Sequence, residues 1–218
     1  THKTDAGADK LHEPTYARMG EDVFKHNPHT DEVEIRATDA NQGYCGDCYL
    51  IAGMGALAKQ RPDLIKSMIR DHGDGTVTVR FWATDKGYFM PFEAGNARAV
   101  EVRVTKDLPT VNNRKPTYAS VADGQLWPAL VEKAYAVHMK SGQYRGLNTG
   151  GSAGLAMETM VGRRSTSFAL ASKSGPELLM ELDIALKNKK PVAIGSMTKD
   201  DIKNDPQLKR LADEKTVY

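Results

Sequence analysis

The sequence predicts an α+β fold for a chain of 218 residues. Two observations carry this prediction: several segments repeat apolar residues at helical spacing, and others alternate apolar with polar residues as half-buried strands do. Hydrophobic residues make up 40% and charged residues 27%, which is typical of a globular chain and too apolar for a disordered one. This length suffices for one large domain or two small ones.

The first predicted helices follow a polar segment. Residues 1–38 are polar, carry four of the six histidines, and are expected to form an irregular arm loosely tied to the rest. Apolar residues at helical spacing predict a helix over 47–59, and Pro62 fits the first turn of a second helix over 62–70. A glycine-rich turn at 73–75 then leads into a predicted strand over 77–81.

The middle and end of the chain continue the mixed pattern. Further strands are predicted at 88–92 and 99–104, a loop at 106–124, and a helix at 125–139 with Pro128 in its first turn. A glycine-rich break at 148–152 is the predicted domain boundary, followed by a short helix over 154–160. Ser174 and Glu177 match a capping box for a helix ending near residue 190. We expect a buried strand at 191–197 and a surface helix at 203–213.

Charge and cysteine content exclude several classes of protein. Lys and Arg total 30 against 28 Asp and Glu, so a general nucleic-acid binder or a polybasic membrane-surface module is not expected. The longest apolar stretch, 49–58, is about half the length that a bilayer crossing needs. Two cysteines cannot form a disulfide framework. The sequence begins without Met or a secretory leader, so we expect a piece of a longer cytoplasmic protein, or an effector delivered without a classical signal peptide.

The segment 42–52, which reads QGYCGDCYLIA, is the part of the sequence most indicative of chemistry. It places Cys48 where a loop turns into a helix, and the positive end of the helix dipole favours the thiolate, which is the nucleophilic form. Gln42 lies six residues earlier, so its side-chain amide and the Cys48 backbone N–H could both donate to an oxyanion. The alternative for Cys48 is a buried structural thiol at a helix start.

Cys45 and Cys48 also form a C-x-x-C motif, which allows two other interpretations. A zinc site needs a second pair of ligands, and the sequence has neither another cysteine nor histidines at ligand spacing. A thioredoxin-like redox pair needs the motif after an early strand of a βαβ unit, whereas here a polar arm precedes it and two helices follow. Redox chemistry therefore stays open as a second hypothesis.

Four blocks together resemble the calpain family of cysteine proteases, including its bacterial calpain-like domains. They are the segment 42–52, DGTVTVRFW at 74–82, LWPALVEKAYA at 126–136, and TGGS at 149–152 followed by METMVG at 157–162. The resemblance implies a papain-like fold with a helical cysteine subdomain and a β-rich second subdomain. We accordingly divide the chain into an arm (1–38), a cysteine subdomain (39–147) and a partial histidine subdomain (148–218). Cys45 departs from the calpain pattern and resembles papain-like proteases, which pair such a cysteine with a distant one absent here.

The resemblance also implies roles for individual residues. Cys48 would be the nucleophile and Gln42 the oxyanion-hole side chain of an endopeptidase. Gly150 and Gly151 match the glycines at the substrate cleft, although a plain interdomain hinge would also use glycine here. The implied partners are a protein or peptide substrate and, for a toxin or effector domain, an inhibitor or immunity protein.

No cofactor is required by this chemistry, but the resemblance makes calcium an optional one. Asp39 and Glu132 match carboxylates that hold calcium in animal calpains, and oxygen ligands suit this ion. Without calcium, Asp39 would be a turn residue and Glu132 would lie on a helix face.

The catalytic histidine and asparagine that the resemblance implies are not in the sequence. Calpain-like chains carry them in a Gly-His-Ala-Tyr and an Asn-Pro-Trp segment after the strand matching 191–197. None of the six histidines has such a context; His138 is expected to cap a helix end and His72 to lie in a turn. We therefore expect these residues alone to be inactive, with a catalytically dead protein-binding module as an alternative.

Overall fold

The computed structural model describes residues 15–84, 97–111, 115–119, 121, 124–140 and 144–195. Its five α-helices within these ranges lie at or near the positions that the sequence pattern predicts. They are α1 (Cys48–Gln60), α2 (Pro62–Met68), α3 (Trp127–Lys140), α4 (Ala153–Val161) and α5 (Gly175–Lys187). None of them is long and apolar enough to cross a bilayer.

Short antiparallel strands accompany the helices in the described ranges. They are β1 (Thr15–Arg18), β2 (Lys25–His26), β3 (Val33–Glu34), β4 (Ile69–Asp71), β5 (Thr76–Thr84), β6 (Ala97–Thr105), β7 (Asp107–Val111) and β8 (Lys115–Pro116). One sheet has the order β4-β5-β6 and a second the order β1-β7-β8, while β2 and β3 form a hairpin. Helices and sheets are segregated along the chain, which is an α+β architecture.

The core lies where α1, α3 and the sheet β4-β5-β6 meet. The apolar positions of α1 and α3 recur at three- and four-residue spacing and are buried together, as Leu50, Met54 and Leu130 show. Val79 and Phe81 of β5 contribute the sheet's inner face. Helix α4 packs on α1 and on β5 and thereby holds α1 against the sheet.

The capping prediction for α5 is confirmed, but α5 differs from the other helices in its packing. Ser174 and Glu177 form the capping box, with the Glu177 carboxylate accepting from the Ser174 backbone N–H at 2.7 Å. None of the α5 residues is buried, and Leu179 is 70% exposed. The segment 191–195 was predicted as part of a buried strand; it is not a strand, and Ile194 is 65% exposed.

Three other predictions are wrong within the described residues. Helix α2 ends at Met68, because Ile69–Asp71 pairs with β5 instead of completing a helical turn. The predicted loop over 106–124 contains β7 and β8. Strand β7 pairs with β1, so the described part of the polar arm is held by a strand ladder and not loosely tied. The predicted strand at 88–92 and helix at 203–213 lie outside the described residues.

Candidate active site

Cys48 is the first residue of α1, and its side chain is exposed. Asp47 precedes it as the N-cap, and its backbone oxygen accepts from the N–H groups of Leu50 at 2.8 Å and Ile51 at 3.2 Å. The first N–H groups of a helix have no intrahelical acceptor and carry the positive end of its dipole. The exposed Cys48 thiol therefore lies at the positive end of the α1 dipole.

The loop before Cys48 is shaped by Gln42 and Gly43. The Gln42 side-chain amide donates a hydrogen bond to the backbone oxygen of Cys45, which folds the side chain back over the loop. A Cβ on Gly43 would overlap the carbonyl of Tyr118, so only glycine fits this close approach. The Tyr44 N–H donates to the oxygen of Thr117 at 3.0 Å. The loop therefore rests directly on the backbone of residues 117–118.

Cys45 differs from Cys48 in its exposure, since Cys45 is buried and Cys48 is exposed. Cys45 is 4% exposed, and its Sγ donates to the carbonyl oxygen of Tyr144 at 3.7 Å. Burial, followed by the negative charges of Asp47 and Glu132, raises the pKa of its thiol well above the ordinary range. One cysteine of the C-x-x-C motif is thus an interior hydrogen-bond donor and the other an accessible side chain, a division that does not favour a redox pair.

The predicted cleft glycines, Gly150 and Gly151, lie next to the start of α1. Gly150 has φ +75°, which glycine adopts without strain, and the space around its Cα is open. A Cβ on Gly151 would approach the Tyr49 ring to 2.8 Å. Two residues earlier, the Asn148 side-chain oxygen accepts from the Gly46 N–H at 2.6 Å. The glycine segment and the start of α1 are therefore neighbours in space.

Asp47, the residue before Cys48, and Glu132 of α3 are two buried carboxyl groups. Asp47 is 0% exposed and Glu132 1% exposed, and both Glu132 oxygens accept from the Ala119 N–H, at 3.1 and 3.0 Å. Burial is the largest cause of a raised pKa at both groups, and the charge of Asp47 raises the pKa of Glu132 further. Both groups therefore keep their protons to a higher pH than an ordinary carboxyl group does.

Asp39, the other carboxylate predicted for calcium, has different partners. It is 3% exposed, and its Oδ2 accepts from the Arg36 backbone N–H at 2.7 Å and from the Trp127 ring N–H at 3.2 Å. Within the described ranges, no three His, Cys, Asp or Glu side chains are grouped so that they could hold a metal ion. As placed, the carboxylates of Asp39 and Glu132 each accept hydrogen bonds from protein N–H donors.

Three of the four histidines in the described residues have ring packing or polar partners, and the fourth is exposed. His138 is buried and stacks on the Phe81 ring with 5.0 Å between ring centroids, and burial lowers its pKa to about 4. His72 Nε2 lies 2.8 Å from the Thr78 hydroxyl oxygen. His26 Nδ1 lies 3.2 Å from an Asp31 carboxylate oxygen, and His29 is exposed. His2 and His12 lie outside the described residues.

Sequence reasoning did not identify two contributors to this site. Asn148 was considered only as part of a flexible break, because a single Asn among glycines carries no signal of a tertiary contact. Asp47 was noted only as part of the nucleophile motif. Its burial against Glu132 depends on how α3 packs beside α1, which the local sequence does not specify.

A comparison with protein families gives one match over most of the chain. The family described as "Calpain family cysteine protease" matches residues 8–214. That range includes the nucleophile loop, the glycine segment and every helix described above.

Individual relatives are similar at about the same level. Calpain-9 of Mus musculus is 31% identical over 156 residues, covering 69% of this chain and 20% of the relative. Calpain-9 of Rattus norvegicus is 30% identical over 172 residues, 77% of this chain and 22% of the relative. Calpain-A of Drosophila melanogaster is 31% identical over 143 residues, 63% and 15% respectively. The chain thus spans about a fifth of the length of the calpain-9 relatives.

Proposed function

The chain belongs to the calpain family of cysteine proteases and has an α+β, papain-like fold, and from this premise we propose that it is a calpain-like endopeptidase domain with Cys48 as nucleophile. The observation that carries the proposal is the exposed thiol at the first residue of α1. Its thiolate attacks the carbonyl carbon of a peptide bond, and the carbonyl π electrons move onto oxygen.

The developing oxyanion needs hydrogen-bond donors, and two are available beside Cys48. One is the Cys48 backbone N–H at the start of the helix. The other is the side-chain amide of Gln42, which carries two N–H groups. One of these donates to the Cys45 carbonyl and holds the amide in place. The second N–H then serves the oxyanion.

The substrate class proposed is an extended peptide segment of a protein. Gly150 offers open space next to the start of α1, so a substrate strand can hydrogen-bond to backbone there without meeting a side chain. The absence of a charged side chain at Gly150 and Gly151 favours backbone recognition over selection of one substrate side chain.

Turnover also needs a general base and acid, since an amine leaves poorly without a proton. Among the four histidines of the described ranges, His138 packs on Phe81, and His72 and His26 have polar partners of their own. We propose that the base is not one of these four and that peptide cleavage by these 218 residues alone is very slow. Covalent capture of an electrophile needs no proton for a leaving group. It therefore tests the nucleophile and the oxyanion hole without requiring a general acid.

A peptide aldehyde tests the proposal directly, because thiolate addition to it creates an oxyanion. We expect reversible inhibition of Cys48 alkylation by the aldehyde in the native protein, and no adduct in Cys48→Ala. Gln42→Ala should weaken aldehyde binding at least tenfold, about 1.4 kcal/mol. Asn41→Ala is the matched control, since the Asn41 side chain donates to Thr38 O within the same loop.

Two results would overturn the proposal. One is an adduct on Cys45 in place of Cys48, which would show that Cys45 is the nucleophile. The other is native-like aldehyde affinity in Gln42→Ala, or complete insensitivity of Cys48 to the aldehyde, which would favour the catalytically dead binding module.

A further inference from the structure

Two contacts flank the nucleophile and join the start of α1 to the segment 148–151. On one side of Cys48, the Gly46 N–H donates to the Asn148 side-chain oxygen at 2.6 Å. On the other side, the Tyr49 ring lies against Gly151. The two partners are about a hundred residues apart in sequence, so this junction is entirely tertiary.

Both contacts are too close to admit a side chain. A Cβ on Gly46 would lie 2.6 Å from the Asn148 side-chain oxygen, and a Cβ on Gly151 would lie 2.8 Å from the Tyr49 ring. Real Cβ atoms essentially never approach other atoms this closely, so either substitution would force the Asn148 side chain or the Tyr49 ring to shift. At both points the start of α1 and the glycine segment are thus in direct contact of backbone with side chain.

We propose that Asn148 is a positioning residue, which fixes the nucleophile loop at a set distance from the backbone at Gly150 that receives the substrate. The inference rests on the proposed function. Asn148 acts through Gly46, which lies two residues before Cys48, and does not itself need to touch the substrate.

An asparagine suits this position better than the residues of similar shape. Its side-chain oxygen accepts from Gly46 N–H without bringing a negative charge close to a thiolate. Aspartate would keep the acceptor and add such a charge, which disfavours ionisation of a nearby thiol. Leucine would keep the approximate shape and remove the acceptor.

The Gly46–Asn148 bond is on the exposed side of the loop. When it is lost, water can satisfy the Gly46 N–H, so the folded state as a whole should change little. The geometry between Cys48 and Gly150 should change more, because near-attack alignment is sensitive to displacements on the order of 1 Å. These two expectations separate a positioning role from a merely structural one.

The test compares two electrophiles on the full 218-residue chain. Iodoacetamide is small and needs no alignment on Gly150, whereas a tripeptidyl vinyl sulfone must bind its backbone there before Cys48 attacks. In Asn148→Leu, we expect labelling of Cys48 by the peptidyl probe to slow at least tenfold, through the maximal inactivation rate more than the half-saturating concentration. The iodoacetamide rate should change less than twofold.

Asn148→Asp provides the rescue. It should recover most of the peptidyl rate at high pH, with the rate–pH profile displaced to higher pH by the added charge. Asn188→Leu is the matched control, because Asn188 ends α5 and its side chain donates to Ile184 O far along the chain from this junction. It should leave both rates unchanged.

Three outcomes would overturn the inference. Equal slowing of both electrophiles in Asn148→Leu would indicate general damage to the site, and unchanged peptidyl labelling would show that the bond positions nothing. If circular dichroism shows that Asn148→Leu does not fold, Asn148→Asp becomes the test. Failure of Asn148→Asp to recover most of the native labelling rate by the peptidyl probe at high pH would then reject the inference. Failure of the native chain to react with the peptidyl probe at all would instead reject the proposed function.

Discussion

Glu132 and Asp47 ionise less readily in the folded chain than in the unfolded one, because both are buried and close together. Above the carboxyl pKa of the unfolded chain, about 4, the folded state therefore holds more protons. The stability that this pair contributes is complete below that pKa and is lost as pH rises through the folded pKa. Folding should weaken toward alkaline pH for this reason.

We expect Glu132→Gln to flatten this dependence and to be more stable than the native chain at pH 8. Glutamine keeps an oxygen to accept from Ala119 N–H and carries no charge. Glu132→Ala should lose roughly 1–3 kcal/mol by leaving that N–H unpaired. Urea unfolding from pH 6.5 to 9 measures both.

The measurement stays above pH 6.5 because the burial of His138 changes stability with pH in the opposite direction to the buried carboxyl groups. The pKa of His138 is lowered to about 4 by burial, so its contribution to stability is lost as pH falls from about 6.5 through 4. Glu101→Gln, on the exposed face of β6, is the control and should leave the pH dependence unchanged. A Glu132→Gln variant as pH-dependent as the native chain would contradict the raised pKa of Glu132.

Residue identities in the candidate site were readable from the sequence where the chemistry is local. The thiol at a helix start is local, and so are the spacing to Gln42 and the adjacent glycines. The interactions of Asn148 with Gly46 and of Glu132 with Asp47 were not readable from the sequence, because they join segments more than eighty residues apart. Their energies depend on burial and direction, which no sequence pattern reports.

At the scale of single elements, the end of α4 makes the sharpest prediction. Gly162 caps α4 with φ +69°, its N–H donates to Glu158 O at 2.7 Å, and a Cβ there would lie 2.5 Å from the Trp82 ring. Gly162→Ala combines backbone strain with a clash, and we expect a loss of about 1–3 kcal/mol in the free energy of unfolding.

Gly175→Ala is the matched control for this prediction. Gly175 begins α5, and a Cβ there would meet nothing within 4 Å. Thermal unfolding followed by circular dichroism should show a clear loss for the first variant and little change for the second. Equal effects of both substitutions would mean that neither the left-handed cap nor the Trp82 contact matters.

The helices were more predictable than the strands for a physical reason. Helical hydrogen bonds are local, so spacing and capping residues such as Ser174 suffice to locate them. Strand β7 contains Pro109 and pairs with β1 from residues 15–18, so its sequence resembles a loop until the partner is known. Ile69 can be buried in a helix or in a strand, so its burial does not predict its secondary structure. Its pairing with Val79 places it in strand β4.

For the whole molecule, calcium offers a prediction with a simple measurement. Asp39 and Glu132 accept hydrogen bonds from Trp127 and Ala119, so binding an ion would have to displace these donors. We expect millimolar calcium to leave the melting temperature of the chain unchanged relative to a chelator control. A ligand bound to the folded state alone would raise it by mass action.

The contrary result has a specific signature. A calcium-dependent rise in melting temperature that disappears in Asp39→Asn would assign the ion to this position. A rise that persists in Asp39→Asn would place calcium elsewhere on the chain.

The bond between Gly46 and Asn148 also has a consequence for how the protein folds. It closes a loop of about a hundred residues, and contacts at such separation form slowly because the chain must first give up its freedom. Helix α1 can form early, but the loop that presents Cys48 becomes ordered only after the chain has reached Asn148. During synthesis on the ribosome, the thiol is therefore exposed before its site is assembled, and reactivity toward peptides should be acquired late.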